Sequence, residues 1–145
     1  MPALLKNILN KLKTEKSVVE LQGLSGSSKA LVLSILSQIQ EQPAEKNIPL
    51  VVVCESFDVA EVLLNDIYYF LGKDGVHFFP FWDVLPYDNF SPHKALVAQR
   101  FQTLDALLSE EIRVLITTPN GLMQRFLPRV TFQKNTISLC PESAC

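Results

Sequence analysis

Residues Ile48 to Cys54 form a near-continuous apolar run, rich in β-branched side chains, and this constrains the fold more than any other stretch. A strand with one wet face would interleave polar residues, so the pattern predicts a parallel strand buried on both faces. Parallel strands are joined by crossovers, and helical patterns should therefore flank the run. Behind it, Val59, Val62, Leu63, Ile67 and Phe70 recur at helical spacing, and Gly72 is placed to stop that helix. Val76 to Phe79 predicts another strand, after which Pro80 and Pro86 bracket an irregular aromatic loop. Ser91 and Pro92 read as N-cap and first position of a helix with Val97, Phe101, Leu104 and Leu108 on one face, and Arg113 to Thr117 reads as a strand. Upstream, Val18, Val19 and Leu21 make a brief β-type run that stops at Gly23, and a helical stretch follows from Lys29 to Ile39. Four strands alternating with helices predict an α/β fold: an open, doubly wound parallel sheet with helices on both faces.

With 145 residues, 48% of them hydrophobic, the chain has material for one domain with a substantial core. The longest apolar run, Pro49 to Cys54, is far short of the roughly 20 residues that span a bilayer. The Met1 end reads as a short amphipathic helix over residues 3–13, with Leu4, Leu5, Ile8, Leu9 and Leu12 opposite lysines, and it lacks the apolar core of a cleavable signal. A cytoplasmic protein without a membrane partner is the expectation. Cys54, Cys140 and Cys145 share no metal-ligand spacing, and their odd number fits a reducing compartment. His77 and His93 stand apart from other ligand-type residues, so packing or capping roles are expected of them and no metal site. Beyond Pro128 the pattern thins to one isolated strand, Thr136 to Leu139, with no further helix. The expected organisation is an N-terminal helix over 1–16, an α/β module over 17–130 and the start of a further, truncated domain over 131–145.

The net charge of −2 gives no bulk attraction to nucleic acid. Its distribution is uneven: Lys6, Lys11, Lys13, Lys16 and Lys29 stand near the beginning, whereas Lys46 and Lys73 are outnumbered by acids across residues 30–75. An anion site is therefore expected towards the beginning. There the stretch Gly23-Leu24-Ser25-Gly26-Ser27-Ser28-Lys29-Ala30 follows the spacing G-x-x-x-x-G-K-[ST] of a phosphate loop. In that motif, backbone N–H groups cradle phosphates, Lys reaches the terminal phosphates and the hydroxyl holds Mg²⁺. Gly23 and Lys29 match. Ser28 stands where glycine lets the backbone approach a phosphate, and Ala30 stands where the metal-binding hydroxyl belongs. Glu55 is the one carboxylate at a strand end with the local look of a metal holder, but it closes the strand after the first helix, which is the wrong rank. The expected nucleotide site is thus degenerate and weak, comprising Gly23, Gly26, Ser27, Ser28, Lys29 and Ala30. No catalytic or metal residue is assigned, no cofactor is required, and residual ATP or phosphate binding at Lys29 stays open beside a merely solvated lysine.

The loop, the block Phe79 to His93, the pair Gln99 and Arg100, and the run Thr118-Pro119-Asn120-Gly121-Leu122-Met123-Gln124-Arg125 together resemble the N-terminal region of bacterial transcription-repair coupling factors. The resemblance covers Val18 to Leu139, and in that family the region is similar to the first domain of the excision-repair protein UvrB. It implies a RecA-like, P-loop-type module that does not hydrolyse ATP and leads into a small domain that recruits UvrA. RNA polymerase and DNA are engaged by more distant parts of such proteins. A damage-probing hairpin is not expected, because Tyr87 leads within a few residues to Ser91. Partner or DNA contact is open for Trp82, Tyr87, Thr118, Pro119 and Arg125. Against base stacking, residues 80–90 contain no basic side chain; against backbone contact, Thr118 and Pro119 suit a helix cap and first turn. The expected function is a non-catalytic structural and interaction module of transcription-coupled nucleotide excision repair. The alternative is an ATP-binding, helicase-like translocase domain with a working loop.

Overall fold

A computed structural model describes residues 18–39, 48–84 and 91–136. The expected helix over 3–13, Tyr87 and its neighbours from 85 to 90, and the expected strand beyond Thr136 lie outside the described residues. The elements are α1 (Ser28–Ile39), β1 (Leu50–Val53), α2 (Phe57–Leu71), β2 (Val76–Phe79), α3 (Lys94–Leu108), β3 (Val114–Thr117), α4 (Pro119–Met123) and α5 (Arg129–Asn135). The strands form a parallel sheet in the order β1-β3-β2, with Leu50 and Val76 both in register with Val114. Alternation along the strands divides the core. Val76, Phe78, Val114 and Ile116 pack with Ala30, Ala60 and Ile67 of α1 and α2, while Phe79 and Leu115 pack with Ala106 of α3 and Ile112. Helices thus cover both faces of an α/β sheet, the class expected. Among the described residues no helix is long and apolar enough to cross a membrane.

Several local expectations are corrected. Residues 18–21 are irregular rather than a strand, and the described sheet has three strands, not four. The run holds only three apolar residues around Glu20, and Val18 is 98% exposed, so it has no face to bury. In the described sheet β1 is an edge strand, not one buried on both faces: Val51 and Val53 are about half exposed, while Leu50 and Val52 on the other face are half-buried and Val52 packs against the α1–α2 core. Full burial belongs to central β3, all four of whose residues are buried.

The α2 stripe is also rotated. Ala60 and Ile67 are buried, with Leu63, Leu64, Tyr68 and Leu71 against the core, while Val62 and Phe70 are exposed. Gly72 does end this helix, at φ 79° with its N–H donating to Tyr68 O, a backbone that glycine adopts without a Cβ penalty. α3 starts after His93, whose Nδ1 accepts from Ala95 N at 3.3 Å, so His93 and not Ser91 is the cap. The inward side of α3 carries Arg100, Thr103 and Ala106 rather than Phe101. Phe101 stacks instead on Phe132 of α5, at 5.7 Å between ring centroids. Helix α5 also corrects the expectation that no further helix follows Pro128.

Candidate functional site

In parallel α/β sheets, ligands meet the carboxyl ends of the strands. Here β1 leads into Cys54 and Glu55, β2 into Pro80 to Trp82, and β3 into Thr118 and Pro119. The chain presents two different arrangements along this rim.

The first is the phosphate loop. Gly23 and Gly26 adopt φ of 78° and 54°, a left-handed backbone that accounts for glycine at both places. The loop then closes on itself: Ser28 N donates to Ser25 O at 3.2 Å and Ser28 Oγ donates to the same oxygen at 2.6 Å. Both polar groups at the position where the motif has glycine are therefore used within the loop. Ala30, at the hydroxyl position of the motif, is completely buried in the α1–α2 core. Lys29 is exposed, and it lines a cavity of about 460 Å³ with Glu55, Cys54 and a largely apolar wall that includes Leu24, Leu33 and Val52. Burial pushes the Cys54 thiol above its ordinary pKa, with Lys29 opposing and Glu55 adding to the rise. Gly26 and Ser27 are exposed on the loop's outer side. Among the described residues, no three His, Cys, Asp or Glu side chains cluster as a metal site would require.

The second arrangement lies beyond β2. Arg100 of α3 is only 2% exposed, and its guanidinium carbon lies over the rings of Phe79 and Trp82, 4.2 and 4.5 Å from their centroids. Nη1 donates to Pro80 O and, at 3.3 Å, to Gln124 Oε1. The same Gln124 oxygen accepts from Trp82 N at 2.6 Å, and Gln124 Nε2 donates to Trp82 O. Nearby, Thr117 Oγ1 donates to Phe79 O at 2.9 Å, and Thr103 Oγ1 lies 2.9 Å from Gln99 O of its own helix and 3.3 Å from Phe78 O, with one proton for the two. Polar side chains from α3, β3 and the segment after α4 thus satisfy carbonyls at and beyond the end of β2. Burial lowers the Arg100 pKa from its ordinary value, and Nη2 has no hydrogen-bond partner.

Of the candidate contact residues, Trp82 and Arg125 come together, lining one cavity with Arg100. Thr118 is buried and caps α4, its Oγ1 accepting from Gly121 N at 3.4 Å, and Pro119 occupies the first turn. In the sequence, Arg100 and Gln124 stand out only through the resemblance. The available signal was spacing, since Arg100, Thr103 and Ala106 recur on one side of a helix whose apolar residues suggested another side.

No family model matches the chain. Six curated proteins do, all of them transcription-repair-coupling factors. The Haemophilus influenzae protein is 31% identical over 102 residues, 70% of this chain and 9% of the relative. That of Escherichia coli is 47% identical over 47 residues, 32% of this chain and 4% of the relative. That of Rickettsia prowazekii is 31% identical over 81 residues, 55% and 7% of the two. The chain spans less than a tenth of the length of these relatives. It is thus a relative of the transcription-repair-coupling factors, matched over a short segment of their length, which is the resemblance its own residues carry.

Proposed function

We propose that this chain is a non-catalytic structural and interaction module acting in transcription-coupled nucleotide excision repair. The observation that carries the reading is the self-closed phosphate loop. Ser28 uses its N–H and its hydroxyl on Ser25 O, and Ala30 is sealed in the core. A phosphate would have to compete with those bonds at Ser28, and a metal ion would find no hydroxyl at position 30, where the motif supplies it. On this reading UvrA is the partner, recruited chiefly through the family's following domain, while RNA polymerase and DNA are met by other parts of such proteins.

The alternative, an ATP-binding motor domain, has one observation in its favour. Lys29 and Glu55 line the same cavity, as a phosphate-contacting lysine and an acidic partner would. The apolar wall of that cavity and the buried Ala30 argue for residual anion binding at most. Retention of UvrA on immobilised protein tests the proposal, comparing this chain with a polypeptide that continues into the neighbouring family domain, with and without ATP. The longer polypeptide should retain UvrA, this chain should retain little, and ATP should change neither. Retention by either that depends on ATP contradicts the proposal.

A further inference from the structure

We propose that this chain associates with copies of itself head to tail, the outer face of α2 in one copy docking on the stretch from α4 to α5 in the next. The inference goes beyond the repair reading and names a partner of this chain's own sequence. It starts from two exposed apolar surfaces of opposite charge. On α2, Val59, Val62, Tyr69 and Phe70 fall on one side of the helix, and all four are exposed, Val62 by 64% and Tyr69 by 85%. Asp58, Glu61 and Asp66 border them, and α2 contains no basic residue. In residues 119–136, Met123 (82%), Phe126 and Val130 (62%) are exposed beside the equally exposed Arg125, Arg129 and Lys134, and the stretch contains no acidic residue. Asp105 of α3, which lines a hollow with Phe132 and Asn135, offsets one of these three cations.

The two surfaces stand on opposite sides of the sheet. α2 packs with Val76, Phe78, Val114 and Ile116 on one face. The other face carries Phe79 and Leu115, against which Ala106 of α3 packs; Phe126 meets Phe79, and α5 joins α3 through Phe132 on Phe101. Neither surface can cover the other within one chain, whereas a neighbouring copy brings them together. Charge selects this arrangement. A two-fold pairing of like surfaces, α2 on α2 or α5 on α5, would set carboxylates against carboxylates or cations against cations, and such juxtaposition is costly. Pairing unlike surfaces sets Asp58, Glu61 and Asp66 against Arg125, Arg129 and Lys134 while covering Tyr69 and Met123. Exposed apolar patches rimmed by polar groups mark contacts of this kind. Nucleic acid would answer the basic stretch and leave the α2 face exposed; a second copy accounts for both. Each copy keeps one surface of each kind, so the contact propagates instead of closing at two.

Sedimentation velocity of the whole chain in reducing buffer, over a concentration series, should show a mean mass that rises past two copies without levelling off. Added salt should lower it, because exposed charges are screened. Val62→Lys with Tyr69→Lys blocks the α2 surface, and Met123→Gln with Arg129→Gln blocks the other; all four side chains are exposed, so circular dichroism should not change. Each double variant alone should self-associate at least about tenfold more weakly than the parent, the least expected when like charges are opposed or an apolar anchor is lost. Mixed in equal amounts, the two variants should form a heterodimer and nothing larger, since each retains the surface that the other has lost. A parent that stays monomeric, a mass that levels off at two copies, assembly that salt strengthens, a double variant that assembles like the parent, or a mixture that stays monomeric would overturn the proposal. Retention of UvrA is a separate readout: it can fail while assembly stands, and a monomeric parent leaves the module reading intact.

Discussion

Around Gly23 to Ala30 the chain keeps the spacing of a phosphate loop but uses both the N–H and the hydroxyl of Ser28 within the loop, whereas around Arg100, with no phosphate-loop spacing, polar groups from several elements lock together. The loop is bonded mainly to itself, through Ser25 and Ser28, and its cavity wall is largely apolar. The Arg100 cluster ties α3, the end of β2 and Gln124 into one network and still leaves a charged donor unpaired. Motif spacing shows where a loop stands in a fold. The capacity to bind depends on which donors remain free once the fold has formed.

Changes on the two sides should separate this contrast. The largest effect is expected beside the cluster, at Gly121, where a Cβ would lie 2.6 Å from Thr117 Oγ1 and 3.1 Å from Phe79 O. Gly121→Ala should destabilise the protein by about 3 kcal/mol, the upper end for overpacking, because the second neighbour is backbone; urea unfolding checks it. Arg100→Met removes the donor to Pro80 O but also relieves a buried charge, so a smaller loss of about 2 kcal/mol is expected by the same measurement. An unchanged midpoint would show that the network is not holding the rim together.

On the loop side, Ala30→Ser restores the motif hydroxyl at a fully buried position. It should cost about 1 kcal/mol, from burying a polar group, and should not improve Mg²⁺-dependent ATP binding by calorimetry. Tighter binding without loss of stability would erase the contrast between the two regions.

The parts of this fold that were legible in the sequence are those set by one residue type in one place. Val76 to Phe79 is a strand as expected, Gly72 ends α2 at positive φ, and Thr118 and Pro119 open α4. What was not legible depends on neighbours. The run at Ile48 to Cys54 is as apolar as a central strand, but the strand order leaves β1 at the edge and gives full burial to β3. In α3 the apolar stripe points to Phe101, yet the helix turns Arg100 and Thr103 inward, where Arg100 supplies the donor that the buried carbonyl of Pro80 needs. At the candidate site, the loop's position could be read from Gly23 and Lys29. Its closure through Ser28 could not, since that rests on a hydrogen bond to Ser25 O rather than on residue type.

Steady-state ATP hydrolysis in the presence of Mg²⁺, measured on this chain and on Lys29→Ala, tests the central claim most directly. The account predicts no turnover above background for either protein, with Lys29→Ala as stable as the parent to within about 0.5 kcal/mol, as expected for an exposed side chain. Turnover by the parent that disappears in Lys29→Ala would contradict it.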